Sequence, residues 1–220
     1  MRKGQGLTLA EVVIVVVVAA ALFLFVVFVI LPRIPHPRTP ARRIQCRSNL
    51  NQLAKAMAIY LYEQGDNRWY PCPLGRGLVA GDYNGAEWLA SVYWTGVVPD
   101  PGVYICPSSP DTNHNGLDLG TFRAPATRFG SQTVSYAGMH YRSLTDGDGN
   151  PRPGAIEEDF PYNLPMACDD TQGVINHGSA NNGYMSVLYF DSHVDGITNT
   201  EIDLERGVGR RPGLLWQLRN

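Results

Sequence analysis

Charge is scarce in this chain. Of 220 residues, 17% are Asp, Glu, Lys or Arg, and 20 acidic against 18 basic side chains leave a net charge of −2. No surplus of positive charge is available to neutralise a phosphate backbone, so nothing points to a general nucleic-acid binder. Cysteine is scarcer still. Cys46, Cys72, Cys106 and Cys168 are the four, and none stands in a C-x-x-C pair, which argues against a zinc site. Familiar catalytic signatures are missing as well: there is no G-x-S-x-G elbow, no P-loop and no H-E-x-x-H. What is plentiful is glycine (23) and proline (16), the composition of a loop-rich domain rather than a helical one.

The charge that is present avoids one stretch altogether. Val12 to Leu31 is twenty residues without a charged side chain, preceded by the basic leader Met1-Arg2-Lys3-Gly4-Gln5-Gly6. At 1.5 Å per residue, about 20 apolar residues span the roughly 30 Å hydrocarbon core of a bilayer. The run is apolar on every face, and in lipid a helix satisfies all of its backbone groups internally. Arg2 and Lys3 place the N-terminus on the cytoplasmic side, so the chain beyond Pro32 is expected outside the cytoplasm. The core is too long for an ordinary secretory signal, and it ends in Ile30-Leu31-Pro32 rather than in a small-residue cleavage step. A plain single-pass anchor explains the run but not Glu11 at its front edge, where a carboxylate costs on the order of 2–3 kcal/mol at depth and less near the interface.

Gly6-Leu7-Thr8-Leu9-Ala10-Glu11, with a basic leader before it and an apolar run behind, resembles the class III signal of type IV pilins and type II secretion pseudopilins. The resemblance implies cleavage between Gly6 and Leu7 by a prepilin peptidase and methylation of the new amino terminus. It assigns Leu7, Thr8 and Glu11 to assembly. Leu7 departs mildly from the Phe usual at the first mature position. In a filament of that kind the Glu11 carboxylate of one subunit neutralises the Leu7 ammonium of its neighbour within an apolar bundle, where either charge alone would be costly.

Pro32 to Pro40 holds four prolines in nine residues, which forbids a regular helix and predicts a kinked linker. Helical periodicity returns over Ala41 to Gln64, with Ile44, Leu50, Leu53, Met57, Tyr60 and Leu61 forming an apolar stripe and Gly65-Asp66-Asn67 ending the helix. Within it, Cys46-Arg47-Ser48-Asn49-Leu50-Asn51-Gln52-Leu53, with Ala56 and Tyr60 beyond, is similar to the C-x-x-N-L-x-Q-L segment of a large pilin-like family of planctomycete-type bacteria. Cys106-Pro107-Ser108 and Ser135-Tyr136 match later steps of that family. Ala86 to Tyr93 predicts a short helix burying Trp88, Leu89, Val92 and Tyr93, and Val103 to Ser108 predicts a short strand. On the non-cytoplasmic side disulfides persist; four cysteines allow three pairings, and the sequence does not choose among them.

Two acidic loops are candidate sites for a structural calcium. Asp111, Asn113 and Asn115 alternate ahead of Gly116 as in the first half of a calcium loop, with Asp118 as a further ligand; Phe122 stands where the bidentate Glu belongs. The second loop has Asp146, Asp148, Asn150 and Glu157 in ligand positions, but Pro151 replaces the glycine of the sharp turn. The competing reading of both is a set of Asp, Asn and Gly turns.

Met185 to Phe190 and His193 to Ile197 predict a hairpin turning at Asp191-Ser192. The pilin-like family ends in a His, a spacer of about nine residues and Asp-Gly. Here His177 is followed by thirteen residues and then Asp191-Ser192-His193, with Ser192 in place of the Gly and a turn that is not expected to be type I′. Asp191, Ser192 and His193 are adjacent, and adjacent strand residues face opposite ways, so a converging triad is not expected; nor is a catalytic cluster of His177, His193, Asp191 and Cys168. Leu214-Leu215-Trp216 in the tail is expected to dock on the domain.

The architecture expected is α+β and pilin-like: a leader (1–6), a membrane-spanning and polymerising helix (7–31), a Pro-rich linker (32–40), and a globular domain (41–220) of an amphipathic helix packed on an antiparallel sheet. Through the resemblance, the function expected is a non-enzymatic filament subunit in a type IV pilus or type II secretion pseudopilus. Its partners would be the prepilin peptidase, other subunits, the inner-membrane assembly platform and the lipid bilayer. The alternative is a permanently anchored extracytoplasmic module that binds a carbohydrate or peptide without polymerising, with Trp69 and Trp94 as exposed contacts.

Overall fold

The computed structural model describes residues 9–30, 38–71, 85–121, 124–139, 162–169, 175–179, 181–198, 215 and 218–219. The chain divides into two units, Met1–Arg38 and Thr39–Asn220. In the first, helix α1 (Leu9–Phe25) continues into a π-helical turn, Val26–Ile30. Leu9–Val29 is long and apolar enough to cross a membrane, and no residue of α1 is buried. Residues 32–37 of the expected Pro-rich kink (32–40) lie outside the described residues. Arg38–Pro40 do not belong to a linker: they open helix α2 (Arg38–Glu63), and Pro40 sits in its first turn, where a missing N–H has no helical partner to lose.

In the second unit α2 buries Cys46, Leu50, Leu53 and Met57, spaced by four, three and four residues as one helical face requires. Ile44 is not on that face; it is 68% exposed, and Cys46 takes its place. The helix stops as expected, with Asp66 (φ 55°) and Asn67 (φ 52°) in the left-handed region that Asp and Asn tolerate best after glycine. Helix α3 (Gly85–Trp94) buries Trp88, Leu89, Val92 and Trp94.

No strand forms over Val103–Ser108. Pro101–Tyr104 is a 3-10 turn, because Pro101 presets its first φ and the Asp100 carboxylate accepts the Gly102 N–H at 2.9 Å. Those local signals override the strand propensity of Val-Tyr-Ile. A two-stranded ribbon, β1 (Gly120–Thr121) with β2 (Ala124–Pro125), follows. The main sheet has five antiparallel strands in the order β6-β5-β4-β3-β7: β3 Tyr136–Met139, β4 Pro165–Asp169, β5 Tyr184–Tyr189, β6 Val194–Thr198 and β7 Leu218–Arg219. Helix α3 lies flush on β3. A Cβ added at Gly138 would stand 2.4 Å from the Gly85 carbonyl oxygen and 2.8 Å from Leu89 Cγ, so only glycine admits this approach. The tail docks through Leu215 and Leu218, both buried, and supplies the edge strand β7.

The β5–β6 hairpin forms where expected; the Tyr189 N–H donates to the His193 carbonyl, which leaves Phe190, Asp191 and Ser192 as the turn and explains the missing glycine. The Ser192 N–H donates to the Tyr189 carbonyl and Ser192 takes φ 70°, the left-handed position of a turn closed by a bulge, rather than a two-residue type I′ turn. A Cβ in this region costs on the order of 1 kcal/mol, so Ser192→Gly should stabilise the protein by about 0.5–1 kcal/mol. Chemical denaturation of the two proteins checks this, and a less stable glycine variant would contradict it.

Candidate functional site

Helix periodicity places Arg43, Cys46 and Asn49 on one face of α2, three residues apart. This face meets the segment after the Pro101–Tyr104 turn. Cys46 and Cys106 form a disulfide across it, with their Cα atoms 5.4 Å apart. Asn49 holds the same segment from a turn further on: its side-chain amide donates to the Ile105 carbonyl at 3.0 Å and to the Tyr136 hydroxyl at 3.2 Å. Ser109 donates to the Cys106 carbonyl and shares a hydrogen bond with the Ser135 hydroxyl at 2.8 Å, while the Ser135 N–H donates to the Tyr104 carbonyl. Asn49, Cys46, Cys106, Ser135 and Tyr136 carry much of the second resemblance, and they come together here from positions up to 90 residues apart.

His177 completes the cluster from the far side. It bridges to Tyr184 through the backbone, and its Nε2 lies 3.5 Å from Cys106 Sγ and 3.6 Å from Asp169 Oδ2. Asp169 ends β4 opposite Tyr136 on β3, and its Oδ2 accepts the Ser186 N–H at 2.9 Å. Both the imidazole and the carboxylate are buried. The Arg43 guanidinium lies over the Tyr184 ring, 4.8 Å from its centre.

Burial governs the electrostatics. The His177 imidazole is pushed down to about 4, first by desolvation and then by the Arg43 charge. The Tyr136 hydroxyl is held well above its ordinary value by burial and by the Asp169 charge, against the donation from Asn49. The unfolded chain takes up the His177 proton near pH 6.5 and the folded one only near 4, so between those values the unfolded state binds more protons. Stability from this group is therefore full above pH 6.5 and falls by about 1.4 kcal/mol per pH unit on acidification toward 4. Denaturation midpoints measured across that window should show the slope, and His177→Gln should flatten it.

Chemically, this is a sealed polar knot. A histidine and a carboxylate face a sulfur already committed to a disulfide. Among the described residues, Cys46, Cys106, Asp169 and His177 form the only group of three or more metal-ligand side chains within reach of one another. The sequence considered His177 alongside His193, Asp191 and Cys168, and the structure separates them. Cys168 is buried on β4, while Asp191 and His193 are exposed at the hairpin tip. There Asp191 and His193 do contact each other, because both sit in the turn rather than on a strand, and the His193 ring stacks on Tyr189 at 4.3 Å. Arg43 and Asp169 had no signal in the sequence; the i, i+3 spacing of Arg43 and Cys46 was the only available hint.

The other expected sites are distributed as follows. Glu11 stands in the first turn of α1. Gly6, Leu7, Thr8, Cys72 and the loop of Asp146, Asp148, Asn150 and Glu157 lie outside the described residues. In the first acidic loop, Asn113 is buried; its side-chain oxygen accepts the Gly116 N–H and its amide donates to the Pro101 carbonyl at 2.7 Å. Asp118 pairs with His114. Asp111, His114 and Asp118 do not gather into a cluster of three ligand side chains. Trp94 is not an exposed contact: it is buried and its indole N–H donates to the Leu119 carbonyl at 2.7 Å. Trp69 is half-buried under the Arg68 guanidinium. No family model, curated protein or solved structure matches this chain.

Proposed function

We propose that this protein is a pilin-like or pseudopilin subunit, cut between Gly6 and Leu7 by a prepilin peptidase and assembled into a type IV pilus or type II secretion pseudopilus filament. The observation that carries the reading is α1. It is a helix of membrane-spanning length with Glu11 in its first turn, and none of its residues is buried in the protein's own fold. An apolar surface of that extent requires lipid or other apolar helices around it. In a membrane it anchors the subunit; in a filament, copies of α1 pack on one another and Glu11 meets the Leu7 ammonium of the adjacent subunit. The α+β domain then faces outward, on the extracytoplasmic side, held by a disulfide suited to that compartment.

The test is the mass and N-terminal residue of the protein taken from membranes or sheared surface material of its native cells. A chain beginning at Leu7 and carrying one extra methyl on its amine is the expected result. A chain still beginning at Met1, in cells with an active prepilin peptidase, would overturn the reading and leave a permanently anchored binding module.

A further inference from the structure

The geometry points to a second state of the buried knot: with the disulfide reduced, Cys46, Cys106, His177 and Asp169 form a four-coordinate zinc site. Their donor atoms all lie within 4.8 Å of one another, and all four residues are buried. Zinc bonds of roughly 2.0–2.3 Å to nitrogen, oxygen and sulfur imply tetrahedral edges of about 3.3–3.8 Å. Two edges already have that length: Cys106 Sγ to His177 Nε2 at 3.5 Å and His177 Nε2 to Asp169 Oδ2 at 3.6 Å. The one edge that is far too short is the bond between the two sulfurs, and reduction removes it.

The donor set chooses the metal. Two thiolates and an imidazole suit zinc, whereas calcium and magnesium take oxygen. Part of the outer shell is in place, while His177 Nδ1 is buried with no hydrogen-bond partner among the described residues. The Ser186 N–H already fixes Asp169 Oδ2, and the Tyr184 N–H fixes the His177 carbonyl. Two thiolates and a carboxylate around Zn²⁺ leave one net negative charge, and the Arg43 guanidinium lies over the Tyr184 ring, whose centre is 6.4 Å from that of the His177 ring. No other described part of the chain brings three such ligands together.

The conversion balances with a phosphine reductant. The phosphine gives two electrons to the disulfide and takes the oxygen of a water molecule, whose two protons complete the thiols. Zn²⁺ then displaces those protons into solvent and accepts a lone pair from each sulfur, from His177 Nε2 and from Asp169 Oδ2. Disulfide and metal exclude each other, so an exported chain still in its thiol form would hold zinc until oxidation expels it. This inference concerns the globular unit alone and stands whether or not α1 polymerises.

The test uses the full chain in detergent micelles, reduced with a phosphine under anaerobic conditions and titrated with Co²⁺, then with Zn²⁺. Expected are one cobalt per reduced chain with the sulfur-to-metal charge-transfer and tetrahedral visible bands of a two-thiolate site, displacement by zinc, and no binding to the oxidised chain. His177→Ala and Asp169→Asn should each weaken binding at least tenfold, and Cys46→Ser should reduce the charge-transfer band, with circular dichroism reporting whether each variant is folded. The wild-type titration needs no variant to be decisive: a reduced chain that takes up no stoichiometric cobalt overturns the proposal. Undiminished binding in Cys46→Ser overturns it equally, because the metal would then sit on other thiols.

Discussion

Replacing Cys46 and Cys106 together by alanine should lower the stability of the globular unit by about 4 kcal/mol. The disulfide closes a loop of 60 residues, and the loop-closure entropy it removes from the unfolded chain amounts to roughly 4 kcal/mol at 25 °C. Domains of this size are stable by only about 5–15 kcal/mol, so the loss is a large share of the total, corresponding to a fall of roughly 10 °C in the thermal midpoint. The cross-link also fixes where α2 sits against the segment that leads to Ser109 and Ser135. The double variant should therefore lose protection first at the Ile105 N–H, which donates to the Gly102 carbonyl in the segment that Asn49 holds. Thermal unfolding of the full chain in detergent, with and without the substitutions, gives the midpoint, and amide exchange locates the opening. A shift of only one or two degrees would mean that the polar contacts of Asn49 hold α2 in place without the bond.

Glu11→Ala should leave the subunit in the membrane and abolish its appearance in filaments. Insertion depends on the length and apolarity of α1, which the substitution does not reduce. Assembly under the proposed function places the Leu7 ammonium among apolar helices, and leaving one buried charge without its counterpart costs roughly 3–5 kcal/mol. At about 1.4 kcal/mol per factor of ten, incorporation falls by on the order of a hundredfold or more for each subunit contact. Glu11→Gln should fail in the same way, since it keeps the size of the side chain and loses its charge. The comparison is between membrane-bound and sheared extracellular protein in cells expressing each variant. Filaments formed normally by Glu11→Ala would remove the electrostatic basis of the polymer reading while leaving the anchor intact.

Local chemistry accounts for what could be read along the chain. The length of α1, the end of α2 at Asp66-Asn67, the α3 helix and the β5–β6 hairpin each follow from composition or periodicity within a window of a few turns. The α+β character came from the same signals. The failures have equally local causes. Ile44 stands six residues before Leu50, about 120° round the helix from it, whereas Cys46 stands four before; the apolarity of Ile44 outweighed a spacing that already favoured Cys46. Val103 to Ile105 reads as a strand until the cap of Asp100 on Gly102 is weighed against it.

Tertiary structure alone decided the rest. Strands β3 and β4 are buried on both faces, so Tyr-Ala-Gly-Met and Pro-Met-Ala-Cys-Asp carry no alternation that would mark them as strands. Two-residue β7 is a strand only because β3 offers it an edge. The disulfide partner of Cys46 and the meeting of His177 with Asp169 depend on which segments the sheet order brings together. Short-range propensity determines where a helix starts and stops; which distant side chains share a buried space is set by packing, and packing is a property of the whole domain.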